Sequence, residues 1–147
     1  MDDLKSLYSD ELLDYAKSIY NKGHVEGALS VEAHNPLCGD RVVFYRESLS
    51  GGGVKLSHDS EGCAICMAAS AMVCEELSGL AVDEAAREAS DALAALTAGA
   101  ASSKEPWSLL SGVSKYPMRV KCCTMPLRAA LALLGHPGGS ESRIELE

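Results

Sequence analysis

No stretch of this chain approaches the ~18 consecutive apolar residues of a membrane span. Its first residues, Met1-Asp-Asp-Leu-Lys5, carry neither the basic n-region nor the apolar h-region of a secretory signal. A cytoplasmic location is therefore the expectation, with no membrane partner. Basic residues are scarce: 13 Lys and Arg stand against 21 Asp and Glu, a formal net charge of -8. Phosphate recognition needs a clustered basic face, so this balance argues against nucleic acid as a partner. No internal repeat, long low-complexity block or long disordered tract interrupts the 147 residues. That length suits one domain with a core large enough to fold without disulfides. A single domain over residues 1–137 is expected, followed by a frayed tail over 138–147.

Cysteine, by contrast, is plentiful. Six cysteines in a chain expected in a reducing compartment are more often metal ligands or redox groups than disulfides. They fall in short signatures: Asn35-Pro-Leu-Cys-Gly-Asp40, Gly62-Cys-Ala-Ile-Cys66, Arg119-Val-Lys-Cys122 with Cys123 beside it, and Cys74 alone.

The pattern around these signatures predicts an α+β chain. Leu12, Leu13, Ala16 and Ile19 at helical spacing, behind a Ser9 cap, predict a helix over Ser9 to Tyr20. Ala28 to Ala33, Arg41 to Glu47 and Val54 to His58 read as three short strands separated by Asn-Pro, Gly-Asp and Ser-Gly-Gly-Gly turns, which favours an antiparallel sheet. From Cys63 the chain turns helical, over Ala64 to Leu77 with Gly79 as the stop, then from an Asp83 cap to about Ala98. Gly99 to Ser114 is read as a loop or short helix resting on the domain through Trp107. Met125 to Leu134 is a last helix, with Pro126 in its first turn and Gly135 at its end.

Three thiols and one carboxylate, Cys38, Asp40, Cys63 and Cys122, make one four-ligand metal site. Gly39 lets the turn fold so that the Cys38 thiol and the Asp40 carboxylate face one point. Cys63 begins a helix, where the helix dipole favours thiolate over thiol. Adjacent helical residues diverge by about 100 degrees, so only one of Cys122 and Cys123 can enter a shared site, and Arg119 three residues earlier favours Cys122. Structural zinc sites are closed by Cys and His, whereas an oxygen ligand makes a site easier to open, which points to transfer chemistry. An ion with three thiolates and a carboxylate is anionic and needs cations nearby; Arg119, Lys121 and Arg41 are available. The Cys63-Ala-Ile-Cys66 pair also fits a redox dithiol, but that reading expects a βαβ unit before it, where a helix and three strands are predicted. Cys74 reads as a core thiol, and His24, His34, His58 and His136 as surface or packing residues.

These blocks, with Tyr8-Ser-Asp-Glu-Leu-Leu-Asp-Tyr15, Asn21-Lys-Gly23 and Ala68-Ala-Ser-Ala-Met72, resemble the U-type iron-sulfur cluster assembly proteins, the family of SufU, IscU and the NifU N-terminal domain. The resemblance runs from about Tyr8 to Leu134. It leans toward SufU: the interval between Cys63 and Cys122 leaves room for an inserted segment, Lys115-Tyr-Pro-Met-Arg119 replaces the Leu-Pro-Pro-Val-Lys of IscU-type members, and Lys121 stands where these have His. It implies a small three-stranded antiparallel sheet with helices packed on it, and zinc held by Cys38, Asp40, Cys63 and Cys122. It further implies a sulfurtransferase role. A SufS-like, pyridoxal-phosphate cysteine desulfurase forms a persulfide, Cys38 accepts the sulfur once a partner histidine takes its place on zinc, Arg119 gives electrostatic support, and downstream cluster-assembly proteins follow. The alternative it implies is a scaffold for iron or a transient [2Fe-2S] cluster. Two residues depart from the family pattern: Cys66 stands where a Ser or other small residue is usual, and Cys123 where a non-thiol is.

Overall fold

Ser9 starts the first helix as anticipated, its hydroxyl accepting the Leu12 backbone N–H at 3.2 Å. The structure is a computed structural model and describes residues 8–18, 21–36, 39–98, 106–135 and 143–146. Helix α1 covers Asp10–Lys17, with Asp10 and Glu11 in its first turn and Lys17 in its last, charges of the sign that the helix dipole favours. Its buried Leu12 ties it to the core.

Strands β1 (Leu29–Asn35), β2 (Asp40–Ser48) and β3 (Val54–His58) form the expected antiparallel sheet. The register pairs Val31 with Phe44, Ala33 with Val42 and Asn35 with Asp40, so the β1–β2 turn brings Asp40 to the end of the sheet. One face carries Val31, Ala33, Val42, Phe44, Val54 and Leu56 into the hydrophobic core. A fourth strand, β4 (Arg143–Leu146), pairs parallel with β1, giving the order β3-β2-β1-β4. A four-residue run gives little periodicity to read, and its partner lies more than a hundred positions back, so local pattern does not announce it.

Helix α2 (Ala64–Leu77) has the predicted bounds. It is apolar on nearly every side because it lies between α1, the sheet and the last helix. Helix α3 covers Val82–Thr97; its N-cap is Ala81, so Asp83 sits inside the first turn with Glu84 and acts on the helix dipole rather than as the cap. A 3-10 segment, Trp107–Lys115, follows. Trp107 anchors it as expected: the ring is buried, and its Nε1–H donates to Glu88 Oε2 at 2.7 Å. Residues 99–105 of the expected insertion lie outside the described residues.

The last helix, α4, covers Pro117–Gly135, beginning eight residues before the predicted Met125. Pro117 takes the first helical position, where a missing N–H costs nothing, and Pro126 sits in the interior. The second proline cannot donate to the Cys122 carbonyl, a defect of about 3 kcal/mol in an isolated helix. Burial of Cys122, Cys123, Leu127, Ala130 and Leu134 against the rest of the fold outweighs it. Cys122 therefore stands on a continuous helix rather than at a helix start. At the far end Arg46, on the helix-facing side of β2, donates to the Leu133 and Leu134 carbonyls at 3.1 and 3.4 Å, satisfying carbonyls of the last turn.

Candidate metal centre

Asp40 opens β2, Cys63 caps α2, and Cys122 lies in the second turn of α4; these three elements meet at one end of the sheet. Their ligand atoms lie within 4.8 Å of one another. Asp40 and Cys122 are buried and Cys63 is partly exposed, so the triad has a dry back and one open side. Cys38, the fourth predicted ligand and the proposed sulfur acceptor, lies outside the described residues.

Backbone bonds hold the parts together. Gly39, at φ +78°, donates to the Asn35 carbonyl at 2.8 Å and turns the chain into Asp40. Arg41 and Glu61 then exchange backbone N–H···O bonds of 2.8 Å each, which lays the segment before Cys63 against the start of β2. Asp40 Oδ1 accepts the Cys63 N–H at 3.1 Å, and Asp40 Oδ2 lies 3.7 Å from Cys63 Sγ. A β-carbon on Gly62 would lie 2.7 Å from Asp40 Oδ1 and 3.1 Å from Cys66 Sγ, so only glycine fits there. Its place before Cys63 is a steric requirement of the site.

The two cysteines of the triad are hydrogen-bonded to one another, which shifts them in opposite directions. A hydrogen bond from the Cys122 thiol, the Cys66 backbone N–H and the Arg119 charge all pull the Cys63 thiol down, against burial and the Asp40 charge. Cys122 is pushed up, by its hydrogen bond to Cys63 first, then by burial and Asp40. Of the two, Cys63 is the one whose surroundings favour the thiolate. Burial disfavours the charge on Arg119, but the charges of Tyr8, Cys63 and Cys122 and its hydrogen bond to Cys122 outweigh that.

Arg119 is thus the cation that reaches the ligands. Arg41 is engaged elsewhere, its Nε donating to Glu32 Oε2 at 2.6 Å, and Lys121 lies on an exposed turn of α4. The Glu32 carboxylate also meets His34 Nε2 at 2.7 Å. Sequence reasoning did not single out Glu32. The signal was there, an acidic residue amid apolar neighbours on a strand, and register explains the result: His34 faces Arg41 across the ladder, and Glu32 is one pleat away on the same face.

The other described cysteines, Cys66, Cys74 and Cys123, are buried. Cys74 is buried and its thiol pushed up by burial, as a core thiol should be. Cys123 is buried, donates to the Val120 carbonyl at 3.3 Å, and is pushed up to about 12 by burial. Cys66 is fully buried beside Gly62. Of the histidines expected to be surface or packing residues, His58 packs near Phe44, its ring centroid 5.9 Å away, while His24 pairs with Tyr45 and Glu26. His136 lies outside the described residues.

A divalent ion suits this donor set. Metal–sulfur bonds of about 2.3 Å and metal–oxygen bonds of about 2.0–2.2 Å in a tetrahedron put ligand atoms between 3 and 4 Å apart, the scale of the Asp40–Cys63 separation. The profile of the family described as NifU-like N terminal domain matches residues 7–123, a span that contains every predicted ligand. The chain belongs to this family. It is 31% identical over 130 residues to the zinc-dependent sulfurtransferase SufU of Bacillus subtilis, covering 86% of this chain and 88% of that one. It is 28% identical over 130 residues to the iron-sulfur cluster assembly scaffold protein IscU of Streptococcus pyogenes, covering 86% and 81%. The crystal structure of FiSufU from Fervidobacterium islandicum superposes with a TM-score of 0.78 at 28% identity, over 87% of this chain and 96% of that one. A NifU-like N-terminal structure from Brucella abortus, at 21% identity and a TM-score of 0.77 over 90% and 95%, shares the fold. No helix among the described residues is long and apolar enough to cross a membrane.

Proposed function

We propose that this NifU-like domain is a sulfur acceptor in iron-sulfur cluster assembly, holding zinc through Cys38, Asp40, Cys63 and Cys122 and taking persulfide sulfur from a cysteine desulfurase. The observation that carries the proposal is the Asp40–Cys63–Cys122 triad, with two sulfurs and one oxygen within 4.8 Å of one another. The similarity to a relative named as a zinc-dependent sulfurtransferase supports the same reading.

Zinc, when bound, keeps its cysteine ligands as thiolates and lets one of them leave by ligand exchange. The chain's residues prepare that exchange. Asp40 offers an oxygen donor already oriented by the Cys63 N–H, so it holds the site while the softer ligands change. Arg119 balances the negative charge of Cys63 and Cys122. Cys38, in the turn before Asp40, is the sulfur acceptor, and the desulfurase is a SufS-like pyridoxal-phosphate enzyme acting in the cytoplasm.

The protein as isolated should contain about one zinc per chain. It should stimulate the turnover of a cysteine desulfurase, and Cys38→Ala should abolish the stimulation; undiminished stimulation by that variant would overturn the proposal. The relationship to a relative named as a scaffold favours a second reading, in which the same ligands receive a [2Fe-2S] cluster as cargo. Anaerobic reconstitution that yields a coloured, transferable cluster, with no stimulation of the desulfurase, would select it.

A further inference from the structure

Cys66 has no place among the triad, yet it is not simply one more core thiol. Cys63 is the N-cap of α2 and Cys66 the third residue of that helix, so the two lie one turn apart at its N-terminus. The Cys66 backbone N–H faces the Cys63 sulfur. The Cys66 sulfur lies 3.1 Å from where a Gly62 β-carbon would stand, and Asp40 Oδ1 lies 2.7 Å from the same point. Cys66 thus borders the metal centre while remaining outside the set of mutually close ligand atoms. Exposure also divides the pair: Cys63 is partly open, whereas Cys66 is fully buried. Paired cysteines with one accessible and one shielded sulfur at a helix N-terminus suit the formation and opening of a local disulfide.

We propose that Cys66 is a resolving thiol that reduces a persulfide on Cys63 and releases it as sulfide, the terminal sulfur having passed from the acceptor Cys38 to the Cys63 thiolate by exchange, which frees the Cys38 thiolate; this rests on the reading of the protein as a sulfur acceptor at Cys38. A persulfide sulfur is one reduction short of the sulfide that a cluster contains, so a sulfur carrier needs an electron pair from somewhere. Here the Cys66 sulfur supplies it. Cys66 attacks the inner sulfur of the Cys63 persulfide, the bond between that sulfur and the terminal one breaks, and a Cys63–Cys66 disulfide forms. The terminal sulfur leaves as hydrosulfide with the electron pair of the broken bond and the proton of the Cys66 thiol. Cys66 is oxidised and the terminal sulfur reduced, and charge is conserved. A dithiol reductant of the thioredoxin type then reopens the disulfide. Cys63 cannot be at once a metal ligand and half of a disulfide, so the two uses of this residue alternate.

The test uses the full chain, fully reduced, in two arms. In one, inorganic polysulfide serves as persulfide donor and excess reagent is removed; in the other, a cysteine desulfurase and cysteine load the sulfur. Sulfide release without added reductant is followed in both, and the products are alkylated and mapped by mass spectrometry. The wild type should release about one sulfide per persulfide and acquire a Cys63–Cys66 disulfide. Cys66→Ser should retain its persulfide and release sulfide at least roughly tenfold more slowly. A persulfide that persists in the wild type, sulfide without this disulfide, or a disulfide joining Cys63 to Cys122 would overturn the proposal. These results come from the wild type and do not depend on the folding of the variant. Discharge with the Cys63–Cys66 disulfide in the polysulfide arm alone supports the resolving thiol while removing the sulfur-acceptor reading.

Discussion

Asp40 and Cys63 hold one another twice: one carboxylate oxygen accepts the Cys63 backbone N–H at 3.1 Å, and the other lies 3.7 Å from the Cys63 sulfur. The first contact orients the carboxylate and the second sets its distance from a ligand sulfur. The sheet and a helix start are thereby joined through two atoms of the proposed metal centre, and the space between them is closed by Gly62. The centre is built as much by what Gly62 lacks as by what its ligands offer.

Gly62→Ala tests this directly. The added β-carbon would stand 2.7 Å from Asp40 Oδ1, and the carboxylate is buried and cannot swing into solvent. It must shift, and its hydrogen bond to the Cys63 N–H shifts with it. Zinc affinity measured against a chromophoric chelator should fall about 10- to 100-fold, the scale seen when groups that orient ligands are disturbed. Wild-type affinity in this variant would show that Asp40 is not held by this contact.

Much of the centre was legible in the sequence because its residues sit in local signals. Gly39 marked a turn, Gly62-Cys63 a helix start, and Arg119 the cation beside Cys122. The features that were missed depend on long-range placement. Helix α4 continues through Pro126 because tertiary burial outweighs a proline that local pattern places at a helix start. Strand β4 finds its partner in β1 from the other end of the chain. Arg41, available by sequence to balance the ligands, is taken by Glu32, and only the β1–β2 register reveals that the two share a face.

Glu32 carries the next prediction. Its buried carboxylate joins Arg41 and His34, each of them partly exposed, so solvent screens the charges while the carboxylate itself is dry. Glu32→Gln should destabilise the chain by about 1–3 kcal/mol in urea unfolding, mostly through the hydrogen bond from the Arg41 guanidinium, which the amide oxygen accepts less well. In a double-mutant cycle with Arg41→Met, the two losses should be less than additive. Strict additivity would mean that Arg41 and Glu32 contribute independently.

Trp107 fixes the 3-10 segment between α3 and α4. Trp107→Phe keeps an aromatic ring but removes the N–H that reaches Glu88, and a cost of about 2 kcal/mol is expected. Trp107→Ala should cost about 3–5 kcal/mol, because a cavity is added to the lost bond. The chain has a single tryptophan, so unfolding of both variants must be followed by circular dichroism. Equal losses for Phe and Ala would place the energy in the hydrogen bond rather than in the packing.

His58 gives the fold a defined acid limit. It lies on β3 with 1% of its surface exposed, and burial, helped by the Lys22 charge and opposed by Asp59, lowers its pKa to about 4. The unfolded chain binds a proton at this residue near the ordinary value of 6.5, before the folded chain does. Above that value both states are neutral at His58 and its contribution is fully present. As pH falls from about 6.5 toward about 4, the unfolded state is favoured, by up to about 3 kcal/mol once the folded-state pKa is reached. His58→Phe removes this linkage and keeps an aromatic ring beside Phe44. Unfolding free energies of the two chains, measured between pH 7 and pH 4, should therefore diverge in slope, with the wild type losing stability faster on acidification. Metal ligands titrate alike in both chains, so their contribution cancels in the difference. Parallel profiles would mean that His58 accepts its proton in the folded state without resistance from its surroundings.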